Sequence, residues 1–331
     1  MMWSISRLPR SQTPRHPEGK DVGGDYGQDD EDFHDVESIA TVTFIAPYYC
    51  KVRRVSTTIS AQSMMPFPNI DPVFLRLGPL QFRWYGLMYL IGLTTAYFVI
   101  KARAAARGIA MTKEQLYDLI VYGAVGVFAG GRLGYVLFYN LPYYLEHPSK
   151  ILAVWEGGMS FHGGLLGVVV ALLFYCWRQG FPVYTIADLV AITVPIGLGF
   201  GRLGNFINGE LYGRPTDVTW CMVFPSGGPE CRHPSQLYEA ALEGGLLFLV
   251  IWWLGRRPRP PGTLMWTFIM GYGLCRIVVE FFREPDLHLG FIAGAITMGQ
   301  VLSAPMVLIG ACMLAFGYLN SFQNRAQTNT R

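Results

Sequence analysis

The chain has 331 residues, 51% of them hydrophobic and only 15% charged. Soluble domains carry about 25% charge, so this composition, with a mean hydropathy of +0.29, excludes an ordinary soluble globule and points to a polytopic membrane protein. The net charge of +3 is small and no basic patch is interleaved with aromatics, which excludes a nucleic-acid surface.

Residues 1–63 differ from the rest. The stretch Gly19–Glu37 is acidic and poor in apolar residues, a composition that favours disorder. Segment 39–50, IATVTFIAPYYC, is too short to span a bilayer and is broken by Pro47. It lacks a basic region directly before it and a small-residue cleavage site, so it does not read as a signal peptide. Met64-Met65 reads like a natural start, which makes 1–63 a disordered extension upstream of the working chain. A regulatory tail is the competing reading.

Seven hydrophobic segments follow, roughly at 84–101, 116–139, 160–178, 188–207, 236–255, 263–282 and 297–318. Each is near the ~20 residues a helix needs to cross ~30 Å of hydrocarbon. The runs are long and lack period-two alternation, so helices are expected. The expected fold is therefore an all-α polytopic membrane protein with about seven transmembrane helices. One transmembrane domain covers 64–320, with a small periplasmic excursion at 208–234 and a cytoplasmic tail at 321–331. Basic residues set the orientation. Lys101, Arg103, Arg107 and Lys113, then Arg178, then Arg256, Arg257 and Arg259 fall in alternate loops on one side, the expected cytoplasmic side. The core then starts outside and ends inside. Trp84, Tyr135, Tyr139, Tyr143, Tyr144 and Trp155 gather at outer ends, and Tyr175, Trp177, Trp252 and Trp253 at inner ends, as interfacial belts do.

Polar residues inside such segments are expensive. An arginine at membrane depth costs about 2.5–3.5 kcal/mol on insertion scales. The stretch 199–213, GFGRLGNFINGELYG, puts Arg202, Asn205, Asn208 and Glu210 after an apolar run. Arg132 in GGRLGYVLFYN and Arg276 in GYGLCRIVVEFF occupy matching outer halves of segments two and six, and GRLG occurs at both 131–134 and 201–204. Three guanidiniums converging at one depth make a phosphate clamp. In the alternative, each pairs with a carboxylate and only holds helices together. Arg276 and Glu280 are spaced to pair on one helix face. His162, in MSFHGG, suits proton transfer near neutral pH or a packing role. Tyr85 and Tyr272 are belt residues or phosphate donors. Asn205, Asn208, Gly209 and Gly213 also fit turn chemistry. HPSQLYEA, 233–240, reads as a helix start, where Glu239 and Glu243 repel unless one meets a base. Six scattered cysteines form no CxxC pair and no metal site. Cys221 and Cys231 share a loop and fit either a disulfide or two free thiols.

RWYGLMYLIG, GGRLGYVLFYN, GGMSFHGGL, GRLGNFINGELYG, RHPSQLYEA, RIVVEFFREPD and MGQVLS occur in this order between about Met65 and Tyr318. Together they resemble the bacterial prolipoprotein diacylglyceryl transferase family. That resemblance implies a seven-helix inner-membrane enzyme. Its family moves the diacylglyceryl group of phosphatidylglycerol to the lipobox cysteine of a preprolipoprotein, forming a thioether and releasing glycerol 1-phosphate. It implies importance for Tyr85, His162, Arg202, Asn205, Glu210, Gly213, Arg276 and Glu280, and no metal or organic cofactor. The chemistry then gives Arg202 and Arg276 the phosphate and His162 the thiol proton. Glu280 orients Arg276, Asn205 and Glu210 hold the loop and headgroup, and Tyr85 steadies lipid or thiol. Arg132 and Tyr272 complete the substrate-binding set. An anionic-lipid transporter or flippase is the alternative, since the GRLG repeat suits parallel repeats; a binding scaffold without chemistry is a third class.

Overall fold

The computed structural model describes residues 65–78, 80–285, 291–292 and 296–329, with the backbone of Met2–Trp3. Apart from that pair, the expectation for 1–63 lies outside the described residues. Two-residue strand β1, Met2–Trp3, pairs antiparallel with β4, Met159–Ser160. A hairpin of β2, Val73–Leu77, and β3, Leu80–Arg83, leads directly into the first helix.

The helices begin and end where local chemistry says they should. Helix α1 covers Trp84–Ala106. Helix α2, Lys113–Phe138, opens with a capping box in which Thr112 and Gln115 satisfy each other's backbone amides. A short helix α3, Leu141–Glu146, and two 3-10 turns follow. Helix α4, Phe161–Gln179, is capped by the Ser160 hydroxyl and ends on Gly180 in the left-handed region. Helix α5, Val183–Asn208, ends likewise on Gly209, at φ 66°. The fifth span is composite: α6, Ser235–Glu239, a π-helical stretch Ala240–Leu246, and α7, Leu247–Leu254. Helix α8 is Thr263–Val279. A second small hairpin of β5, Phe291–Ile292, and β6, Ile296–Thr297, precedes α9. Helix α9 runs unbroken as Met298–Asn329, through the position where a separate tail was expected to start.

Six of these spans are long and apolar enough to cross a membrane, and α8 is a shorter apolar helix. All seven expected segments are thus helical. A helix satisfies its own backbone groups, which a bilayer core cannot do. The arginine-bearing segments two, four and six remain helical because their guanidiniums find partners, described below.

Close packing depends on glycine. Gly126, Gly130 and Gly134 on α2 face Gly163 and Gly167 on α4, at the four-residue spacing that lets membrane helices touch backbone to backbone. A Cβ on Gly167 would sit 2.0 Å from the Gly126 carbonyl oxygen, and one on Gly163 2.4 Å from that of Gly130. Helix α5 meets the π stretch in the same way, with a Cβ on Gly244 falling 2.7 Å from the Gly199 Cα. At the end of the bundle away from Arg202, Ile100, Leu116, Leu119, Tyr175, Ile186 and Leu189 form a buried cluster. There the Asp188 carboxylate accepts from the Gly262 and Met265 amides at 3.0 and 2.9 Å and so caps α8. Nearby, Arg103 donates to the Gly255 carbonyl and lies over the Trp252 ring.

The seam generates a direct prediction. Gly167→Leu forces α2 and α4 apart and lowers stability by at least the 1–3 kcal/mol typical of overpacking, on the order of the whole margin for a poorly relaxing site. Gly123→Ala, with open space around it, leaves the melting temperature of the detergent-solubilised protein unchanged.

Candidate functional site

Helix α5 delivers Arg202 one turn and a half before its end. The chain then turns sharply. Asn205 and Asn208 both donate side-chain Nδ2 to one oxygen of Glu210, at 3.0 and 3.1 Å. The Glu210 amide returns to the Asn205 carbonyl at 3.1 Å. Gln236 donates to the Glu210 carbonyl at 2.7 Å and Ser235 to that of Leu211 at 3.1 Å. Leu211 sits at φ +59°, a conformation unusual for a branched side chain, and these bonds hold it there. Asn205 and Glu210 therefore clamp the end of α5 onto the start of α6.

Behind that clamp lies a ring of six buried charges. Arg202 pairs through Nε with Glu239 and through Nη2 with Glu243 at 3.6 Å. Arg276, from α8, pairs with the same two glutamates at 3.4 and 3.7 Å. Its Nη2 meets Glu280 at 3.1 Å. Arg283 closes the ring, 3.7 Å from Glu239 and 3.8 Å from Glu280. Glu239 and Glu243 are 0% exposed and no member exceeds 9%. Three guanidiniums face three carboxylates, so the ring is formally neutral. That balance is what lets full charges sit in so dry a place. The π stretch begins directly after Glu239 and carries Glu243, in keeping with the concentration of such distortions at functional sites.

The excursion 208–234 folds back over this end. The Gly213 amide donates to the His233 carbonyl at 2.8 Å, and Gly213 bridges to Arg283. A Cβ on Gly213 would lie 2.4 Å from the Phe282 carbonyl oxygen, so only glycine fits. Arg214 donates to the carbonyls of Arg283 and Glu280 at 2.8 and 3.0 Å. Cys221 and Cys231 form a disulfide, which decides between the two readings of that pair. Phe224, 1% exposed, packs with Phe67, Phe206 and Tyr212 under the excursion. His233 stacks edge-on against Tyr238 and Phe282, and burial lowers its pKa below the ordinary 6.5.

Of the residues singled out from sequence, Arg202, Arg276 and Glu280 meet in the ring, and Asn205, Glu210 and Gly213 lie in the loop beside it. The Tyr85 ring covers Gly204, where a Cβ would come within 2.7 Å of it, and Tyr85 is in electrostatic reach of Arg202 and Glu210. Tyr272 is in reach of Arg202, Glu239, Glu243 and Arg276. His162 is exposed in the first turn of α4, and among the described residues no hydrogen bond or ion pair ties it to the ring. Arg132 requires a correction. Its guanidinium donates to five backbone carbonyls, of Lys150, Ile151, Ala153, Gly157 and Gly158. It therefore fastens the loop between α2 and α4, and its five partners are separate from the glutamates that hold Arg202 and Arg276. The third guanidinium of the ring is Arg283 instead. Glu239 and Glu243, expected to repel unless one met a base, are its central carboxylates and meet three. The signal for them was present: two acids one turn apart in an apolar span need cations.

Comparison with known proteins gives a consistent result. The prolipoprotein diacylglyceryl transferase family matches residues 72–316. The chain is similar to a phosphatidylglycerol–prolipoprotein diacylglyceryl transferase of Geobacter sulfurreducens, 61% identical over 251 residues, 75% of this chain and 96% of the relative. A protein of the same name from Vibrio vulnificus is 55% identical over 258 residues, covering 78% and 95%. One from Vibrio parahaemolyticus is 50% identical over 272 residues, covering 82% and 100%.

Two outcomes follow from the ring and its cover. Glu239→Gln leaves buried guanidinium charge uncompensated and destabilises the fold by about 3–5 kcal/mol, read as a lowered melting temperature in detergent. His233 favours its neutral form in the fold, so its contribution is full above its unfolded pKa and is lost as pH falls. The melting temperature therefore drops between about pH 7.5 and about pH 5.5, and His233→Gln flattens that slope.

Proposed function

The chain belongs to the prolipoprotein diacylglyceryl transferase family, and from that membership we propose that it transfers the diacylglyceryl group of phosphatidylglycerol to the lipobox cysteine of a preprolipoprotein. The thiol sulfur bonds to the glyceryl carbon, the bond from that carbon to the phosphate oxygen breaks, and glycerol 1-phosphate leaves. The thiol proton passes to a base. One observation carries the reading: Arg202 and Arg276, from different helices, share the same two buried glutamates beneath the excursion.

The residues divide the work in physical terms. Charge builds on the departing phosphate, and preorganised donors in a dry site stabilise it strongly. Arg202 and Arg276 supply those donors. Glu239 and Glu280 fix their guanidinium planes. The long pairs from Glu243, at 3.6 and 3.7 Å, are the ones that yield to a phosphate oxygen. A free cysteine has a pKa near 8.5, so little is thiolate at neutral pH. His162, exposed at the start of α4, takes its proton. Tyr85 and Tyr272, both in reach of Arg202, steady the lipid, and Asn205, Glu210 and Gly213 keep the loop in register. Arg132 acts at a distance, by holding the loop that leads into α4 and His162.

The same reading places the protein in the bacterial inner membrane, with the ring toward the periplasm and α9 ending in the cytoplasm. The basic loops favour that orientation. So does the Cys221–Cys231 disulfide, since such bonds persist in oxidising compartments. The transferase domain covers 64–320 in this reading. The chain is already tied down at the start of that range, through the Met65 amide to the Cys221 carbonyl and the half-buried Phe67 against Phe206.

The test is purified protein with phosphatidylglycerol and a lipobox peptide, read by mass. A diacylglyceryl adduct on the cysteine supports the transferase; lipid movement without an adduct supports the flippase, which family membership does not favour. Arg202→Lys keeps a charge but loses the forked geometry, and transfer falls about 10²–10³-fold. Removal of residues 2–63 leaves turnover unchanged.

A further inference from the structure

Glu243 is the anomaly of the ring. It is 0% exposed, and neither carboxylate oxygen accepts a hydrogen bond. Its two cations stand off at 3.6 and 3.7 Å, beyond hydrogen-bond length. Glu239 and Glu280 each have one buried oxygen without a hydrogen bond, but Glu239 accepts from Arg276 through its other oxygen and Glu280 lies 3.1 Å from Arg276, so only Glu243 has both oxygens unmatched. A backbone shift cannot repair this, because Gly244 is pressed against Gly199 with no room for even a methyl between them. The ring needs Glu243 ionised to balance three arginines. An ionised carboxylate offers about four lone-pair sites and accepts only. Buried groups of that kind are ordinarily matched by a donor. The missing group must donate to a carboxylate and accept from a guanidinium at once, which is what a hydroxyl does.

We propose that Glu243 accepts a hydroxyl of the lipid headgroup and so selects a polyol headgroup over one without hydroxyls. The inference rests on the transferase reading above. Phosphate oxygens on Arg202 and Arg276 bring the headgroup glycerol, three carbons away at most, to the 3.6–3.7 Å separation between Glu243 and those guanidiniums. The hydroxyl bridges guanidinium and carboxylate across it. Glu243 is a specificity-determining residue in this scheme, and it forms no bond to a reacting atom.

The experiment compares phosphatidylglycerol with phosphatidylpropanol, whose headgroup has the same carbon count and no hydroxyl, as donors to a lipobox peptide. In the unaltered protein kcat/KM favours phosphatidylglycerol by about tenfold or more, the range expected for a hydrogen bond to a charged group. In Glu243→Gln the ratio of kcat/KM between the two lipids falls to less than about twofold, whatever the variant does to the rate common to both. An equal loss with both lipids means a purely structural role and overturns the inference. So does an unaltered protein that uses both lipids equally. Transfer from neither lipid by the unaltered protein overturns the transferase reading itself, and this inference with it. Should the glutamine variant fail to melt cooperatively, retention of each lipid by the unaltered protein in native mass spectrometry reads the same preference. Equal retention there also overturns the inference.

Discussion

Six full charges buried at one end of a helical bundle govern this structure. Arg202, Arg276 and Arg283 interlock with Glu239, Glu243 and Glu280, and every one of them comes from a different position on α5, the fifth span, α8 or the segment just beyond it. Apart from Arg276 and Glu280 at the end of α8, no helix satisfies its own share. Arg202 has no acid on α5 within a turn, and Glu239 has no base on α6. The ring exists only when three spans are assembled, so it acts as a register pin for the bundle. Buried ion pairs add little net stability, because desolvation offsets attraction. Their value lies in penalising every arrangement that leaves one charge alone.

Around the ring, glycine allows the approach that the charges require. Gly199 and Gly244 bring α5 and the π stretch to backbone contact, which sets the reach of Glu239 and Glu243 toward Arg202. Gly204 admits the Tyr85 ring from α1. Gly213 threads between His233 and Phe282, and ties the excursion to the segment carrying Arg283. The polar core and the small residues are one design: the first demands short distances, and the second permit them.

Much of this was legible in the sequence, and the part that was not has a physical reason. Hydropathy located the seven spans because a bilayer imposes one length on every crossing. Gly209 read as a turn residue and ends α5 because left-handed backbone favours glycine. The 199–213 stretch announced itself because arginine and asparagine are costly at that depth. What remained hidden was partnership. The spacing of Arg276 and Glu280 is local and readable; the pairing of Arg202 with Glu239 spans 37 residues and needs the folded bundle. Arg132 matched Arg202 in its GRLG neighbourhood, yet the loop 147–158 wraps its guanidinium in carbonyls, and nothing local foretells that. The ten-residue separation of Cys221 and Cys231 permits a disulfide without requiring one. The π stretch has no local signature at all.

Helix α5 serves both ends of the molecule. Asp188 caps α8 at one end and Arg202 enters the ring at the other, 14 residues or about 21 Å apart along the same rod. Its arginine depends on chain made later, whereas Asp188 also lies 3.9 Å from Arg107, made earlier at the end of α1. During synthesis α5 enters the bilayer with an arginine whose carboxylates on the fifth span do not yet exist, and with an Asp188 whose amide donors at the start of α8 are still to come. A chain halted after α5 is therefore a costly species in lipid, exposed to quality-control proteases, and completion of the last three helices is what commits the earlier ones to the membrane.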